Sequence, residues 1–233
     1  MSPCVFPGLA QTPCGELELD ALAVEWRKNC PDVKEANPFL DPVFCREEIG
    51  KAQRARGWEW SYGGYLEDRR HVWAGSYLDR TGNYLHLGLD LNAPSGTLVA
   101  ATHEARVMLI DTDSDQAGGW GTRIFLLPLR HDGEPLLLIY AHIRAVRCQV
   151  GQFVLPGEIV AEVDDPPSNG NWYPHLHVQA IRKALFENIL TERFEELDGY
   201  GPPSLRENLR CDYPDPALFV LGTHQTPIGF PRV

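Results

Sequence analysis

The string YLHLGLDLN at 84–92 constrains this chain more than any other. Leu85, Leu87, Leu89 and Leu91 alternate with His86, Gly88, Asp90 and Asn92, so an extended backbone turns the leucines to one face and the polar set to the other. PHLHVQ (174–179) repeats the pattern, with Leu176 and Val178 opposite His175, His177 and Gln179. In LLLIYAHI (136–143), Tyr140 and His142 share a face opposite Ile139, Ala141 and Ile143. A helix would also put His86 and Asp90 on one side. It would then have to hold Gly88 in its interior and stop at Asn92-Ala93-Pro94, so the reading is strand.

A core strand gains nothing by gathering imidazoles and a carboxylate, because burying them unpaired costs a few kcal/mol each. Zinc satisfies them, taking imidazole nitrogen and carboxylate oxygen in tetrahedral geometry and keeping one position for water in catalytic sites. His86, Asp90 and one histidine of the pair His175/His177 are therefore candidate ligands. Four extended residues cover roughly 13 Å, too far for His86 and Asp90 to grip one ion from a straight strand. The backbone must bend between them, and Gly88 at the midpoint is where a bend is cheapest.

These residues resemble the lysostaphin/LytM-type zinc metallopeptidases, whose members mostly cut peptide cross-links in bacterial peptidoglycan. The pattern of that family is a His-x-Gly-x-Asp strand, an apolar segment, a Gly-rich turn, a Tyr-x-His strand and a closing His-x-His strand. It appears here in order as HLGLD (86–90), APSGTLVAATHEARV (93–107), GGWGTRIFL (118–126), YAHI (140–143), VGQFVLPGEIVAEV (150–163) and PHLHVQ, over about residues 82–184. The resemblance implies one zinc per chain held by His86, Asp90 and His177, with His142 and His175 acting in catalysis. It implies a mainly β fold, an antiparallel sheet core with flanking α-helices, and a peptide or muropeptide substrate. The chain departs from the pattern before His-x-His, where a small Gly/Ser/Thr-rich loop is usual and DDPPSNGNWY (164–173) stands instead. That loop is expected to edge the cleft with Asp164, Asp165, Trp172 and Tyr173.

A length of 233 residues with 43% hydrophobic content suits one compact catalytic unit with extensions: an N-terminal part to residue 80, a core at 81–184 and a C-terminal part from 185. The net charge of −11 gives no electrostatic reason to bind nucleic acid or anionic wall polymers, and no apolar run nears the ~20 residues of a membrane span. The start shows no secretory signal, which points to the cytoplasm, with export after processing or by a signal-independent route as the alternative. Six cysteines without a C-x-x-C pair exclude a thiolate zinc motif and are expected as free thiols. Helices are expected at 16–29, 44–57 and 184–197, and the proline-rich tail from Gly199, including the final TPIGFPR, is expected to run extended. The aromatic stretch 57–73 reads as a structural flap, with a substrate wall or a plug over the cleft as alternatives. His71, His103, His131 and His224 have no metal-spaced partners, and His131 is placed in a solvated hairpin turn. The function these readings give is hydrolysis of a peptide bond. An amidohydrolase for a small metabolite and a non-catalytic scaffold are the rival classes.

Overall fold

The second half of YLHLGLDLN and the other two alternating strings become neighbouring strands of one sheet, while Leu85–His86 pairs separately with Tyr200–Gly201. The computed structural model describes residues 4–30, 36–129, 133–192 and 197–221. Its strands are β1 (Cys14–Glu16), β2 (Trp60–Gly63), β3 (Leu85–His86), β4 (Leu89–Asn92), β5 (Leu98–Ala100), β6 (Ala105–Asp113), β7 (Gly121–Pro128), β8 (Leu136–Arg144), β9 (Phe153–Val154), β10 (Ile159–Val163), β11 (Leu176–Arg182) and β12 (Tyr200–Gly201). Its α-helices are α1 (Leu19–Asn29), α2 (Pro42–Arg56), α3 (Lys183–Glu192), α4 (Arg206–Asp212) and α5 (Ala217–Val220). The main sheet runs β1-β2-β4-β11-β8-β7-β6-β9, and β10 joins β8 to β5. All its pairings are antiparallel except β1 with β2, which gives the mainly antiparallel β fold with flanking helices that the sequence implied.

Alternation along β8 shows how the sheet separates two cores. Leu136, Leu138 and Tyr140 pack on one face with Val178, Leu89 and Leu91, while Leu137 and Ile139 pack on the other with Phe125, Ile181, Leu85 and Leu87. The four leucines of the first string thus divide between the two cores, because the strand breaks at Leu87–Gly88. A third cluster, including Leu19, Phe39, Ile49, Val72 and Trp73, ties the N-terminal helices to Trp172 and Tyr173 of the loop before β11.

The helix expected at 44–57 starts two residues earlier, at Pro42. Asp41 caps it by accepting from the amides of Val43 and Phe44, both at 2.8 Å, and Pro42 is preorganised for the first turn. It ends as expected at Gly57, whose φ of +69° closes the helix in the left-handed region. The first helix begins at Leu19 rather than 16, since Cys14–Glu16 pairs with β2 instead. The third covers 183–192; residues 193–196 lie outside the described residues and Leu197 is not helical. The described part of the tail, residues 199–221, does not run extended throughout. Pro203 and Pro216 stand at the starts of helical turns, where their fixed φ is suited, and α4 and α5 follow; TPIGFPR lies outside the described residues. All six cysteines are free thiols. Among the described residues no helix is long and apolar enough to cross a membrane.

Candidate metal centre

Sheet register brings Asp90 and His177 together. In the β11–β4 ladder His177 stands opposite Asp90, and across the other edge of β11 it stands opposite Ala141. His86 reaches the same place from β3, across the break that carries Gly88. The bend falls where the spacing required it, and Gly88 is also needed for room. A Cβ there would lie 2.4 Å from His177 Cε1, 2.5 Å from its Nε2 and 2.8 Å from the Val178 carbonyl oxygen.

His86, Asp90 and His177 form a group in which one donor atom from each lies within 4.8 Å of the others, all three buried. His86 Nε2 is 3.1 Å from His177 Nδ1 and 3.4 Å from Asp90 Oδ1, and His177 Nδ1 is 3.0 Å from Asp90 Oδ1. A tetrahedral zinc with ligands at about 2.0–2.1 Å sets its donors roughly 3.3–3.4 Å apart, so the group is already near the needed size. The outward nitrogens fix the tautomers. His86 Nδ1 donates to the Gly64 carbonyl at 2.9 Å, which leaves Nε2 as a lone pair. Gln179 turns its amide N–H to the Asp198 carbonyl at 3.2 Å and so accepts from His177 Nε2 at 3.1 Å, which leaves His177 Nδ1 as a lone pair. With neutral imidazoles, two lone pairs and a carboxylate oxygen face one another, an arrangement that a cation relieves. The donor set fits zinc.

Burial pushes the His86 imidazole down to about 3, aided by the Arg69 charge, so the ring is neutral as a ligand must be. Burial alone would raise Asp90. The Arg69 guanidinium, 2.6 Å from Oδ2, opposes it, and the carboxyl is held well below the usual range. His175 Nδ1 donates to the Tyr173 carbonyl at 2.8 Å, leaving its Nε2 lone pair 3.6 Å from Asp90 Oδ1. The His142 ring lies against that of His175, 4.4 Å centroid to centroid and tilted by 43°. Burial lowers both imidazoles, and for His142 the neighbouring His175 and His177 lower it further.

His142 corrects one expectation. It does not share a face with Tyr140, which packs into the opposite core and meets Thr102 Oγ1 at 3.2 Å. At φ +60° and beside a register shift between β7 and β8, His142 leaves the strand alternation and turns to the cavity shared by His175 and His177. Its backbone N–H donates to Trp120 O at 3.0 Å and its carbonyl accepts from Asp164 N at 2.9 Å, which pins the turn.

A cavity of about 50 Å³ lies over the centre, walled by Trp73, Tyr77, Trp120, Trp172 and Tyr200. Trp73, Tyr77 and Trp172 also line an adjacent hollow of about 220 Å³. The expected acidic edge is not there. Asp164 is buried and accepts from the Ser168 hydroxyl at 2.7 Å, neither it nor Asp165 lines the cavity, and the carboxylates that do are Asp90 of the centre itself and Asp198. Tyr173 lies behind the wall, its hydroxyl donating to Asn92 Oδ1 at 2.7 Å. The stretch 57–73 contributes a wall residue, Trp73, and the fully buried Arg69, whose Nη1 donates to Asp90 Oδ2 at 2.6 Å. Neither Arg69 nor Tyr200 follows from the strings, since nothing local marks them. The other histidines lie apart: His71 meets Asp20 at 2.7 Å, His103 meets Thr102 Oγ1 at 3.0 Å, and His131 and His224 lie outside the described residues.

Among solved structures the chain is similar to LytU, at 25% identity and a TM-score of 0.36 over 42% of this chain and 62% of that one. It thus spans less than two thirds of LytU. It is similar to the catalytic domain of lysostaphin from Staphylococcus simulans, at 20% identity and a TM-score of 0.35 over 55% of this chain and 80% of that one. To Csd3 of Helicobacter pylori the identity is 30% and the TM-score 0.32, over 42% of this chain and 24% of that one. No curated protein matches the sequence. Residues 84–188 match the model described as peptidase family M23, and His86, Asp90, His142, His175 and His177 all lie inside that stretch.

Proposed function

We propose that the protein is a zinc-dependent metallopeptidase, with one ion held by His86, Asp90 and His177 and with His142 and His175 acting on the substrate. The observation that carries this reading is the convergence of two imidazole lone pairs and a carboxylate oxygen at 3.0–3.4 Å inside a stretch that matches a peptidase family. A bound zinc supplies a Lewis acid for the scissile carbonyl and lowers the pKa of a water toward about 7. His175 offers an unprotonated Nε2 beside the centre and takes the proton of the attacking water. His142, its ring 4.4 Å from that of His175, would donate to the oxyanion as it develops. Gln179 holds the ring of His177, and the aromatic walls limit water around the reacting bond.

Peptides derived from peptidoglycan are the substrate that the family resemblance supports, and the charge of −11 favours soluble fragments over intact anionic wall. We assign residues 81–184 as the catalytic core, with 1–80 and 185–233 as flanks. The small volume over the centre favours one further reading, hydrolysis of a small amide, which a substrate screen separates from the first. The test of the centre is metal content. The purified protein is expected to hold about one zinc per chain, and His86→Ala, Asp90→Ala and His177→Ala to lose most of it. Full zinc in all three variants would sink the assignment.

A further inference from the structure

The flank before the M23-matched stretch grips two of the three candidate ligands from behind. Gly64 offers its carbonyl to His86 Nδ1 at 2.9 Å, and Arg69, with no exposed surface, takes Asp90 Oδ2 through Nη1 at 2.6 Å. The other edge of the guanidinium is held in turn. Nε donates to Glu67 Oε2 at 2.8 Å, Nη1 also reaches the Tyr200 hydroxyl at 3.3 Å, and Glu67 Oε1 accepts from the backbone N–H of Asp20 at 2.6 Å. Gly64 makes the space, since a Cβ there would sit 1.9 Å from Arg69 Nη2. A planar fork with fixed donor directions can lock two carboxylates at once, which an ammonium on a flexible stem cannot do.

We propose that Arg69 is a positioning residue for the metal centre: by occupying Asp90 Oδ2 it leaves Oδ1 alone to face the histidines, and so fixes a one-oxygen ligand and a four-coordinate ion. This rests on the zinc reading above. Without the guanidinium the Asp90 carboxylate is free to pivot about its χ2 bond and bring both oxygens onto the ion. The coordination number then rises, and the preference for a small tetrahedral cation falls.

Two readouts besides activity test this: the zinc dissociation constant from chelator competition, and the visible spectrum of the cobalt-substituted protein, whose bands are intense for four-coordinate cobalt and weak for higher coordination. Arg69→Met is expected to raise the zinc dissociation constant ten- to hundredfold and to weaken the cobalt bands. Because Arg69→Met leaves Glu67 buried without its partner, Arg69→Met/Glu67→Gln is made alongside it and is expected to give the same two changes. Arg69→Lys keeps the charge without the fork and is expected to fall between. Folded Met variants that bind zinc within threefold of the wild type, with an unchanged cobalt spectrum, overturn the role of Arg69. If neither Met variant folds, an Arg69→Lys protein equal to the wild type in both readouts overturns it. A wild-type protein that takes up neither ion removes the zinc reading itself, which is a different failure.

Discussion

Gly88→Ala probes the centre without touching a ligand. The new Cβ would stand 2.4 Å from His177 Cε1, 2.5 Å from Nε2 and 2.8 Å from the Val178 carbonyl oxygen. Carbon atoms rest at about 3.5–4.0 Å, so something must retreat by about 1 Å. The carbonyl belongs to β11, which is paired on both sides by β4 and β8, so the imidazole is the part that yields. Metal–ligand distances hold to about 0.2 Å, and a shift several times larger removes His177 Nδ1 from the group. Moving the ring also strains its hydrogen bond to Gln179. The expected loss of zinc affinity is at least ~100-fold, which is about 2.8 kcal/mol at 1.4 kcal/mol per tenfold. Overpacking adds a loss of about 1–3 kcal/mol in folding stability. Chelator competition measures the first and thermal unfolding of the metal-free protein the second. A Gly88→Ala protein with wild-type zinc affinity and an unchanged Tm would refute the argument that this glycine is there for room.

His142→Ala and His175→Ala are expected to keep zinc and the fold while losing hydrolysis by ~10²–10³-fold, since both act on the transition state rather than on the ion. If His175→Ala loses zinc and His177→Ala retains it, measured on the same preparations, the two histidines of PHLHVQ have been assigned the wrong way round. Turnover of soluble muropeptides is expected to exceed that of purified sacculi, and the sacculus rate to rise with salt as the Debye length shrinks from ~30 Å at 0.01 M to ~8 Å at 0.15 M. Strong lysis of intact walls at low salt would remove the electrostatic argument, with His142→Ala as the blank.

The parts of the centre that were legible in the sequence are those whose positions depend on local period. His86, Asp90 and His177 lie in short strands and His175 stands immediately before one, within strings where apolar and polar residues alternate, and antiparallel register then places His177 against Asp90. Gly88 was legible as a bend, but its second role depends on a ring more than eighty positions away in the chain and has no local trace. Alternation failed at His142, because a positive φ and a register shift turn one residue out of phase, and neither leaves a periodic signal. Arg69 and Tyr200 could not be read at all. Each earns its place through tertiary contact with Asp90 or His86, and an arginine after an acidic pair or a tyrosine before Gly-Pro-Pro has many ordinary meanings. In the tail, prolines suggested extension, yet at the first turn of a helix the same ring is an advantage, and the choice between the two lies in the residues that follow.

The short ladder between β3 and β12 bears on when the centre can exist. His86 pairs with Tyr200 there, and the neighbouring Leu87 N–H donates to Gly199 O at 2.9 Å. On the opposite side the His86 N–H and carbonyl are taken by Glu67 and Leu66 at 2.9 and 2.8 Å. The backbone of this ligand is therefore clasped between two strips of chain that leave the ribosome far apart in time. Until the strip near residue 200 has emerged, the nascent polypeptide can form most of its sheet while the imidazole of His86 still lacks half of its clasp. Assembly of the centre is then a long-range event, and the slow closure expected for contacts of high sequence separation delays metal capture until the strip near residue 200 is in place.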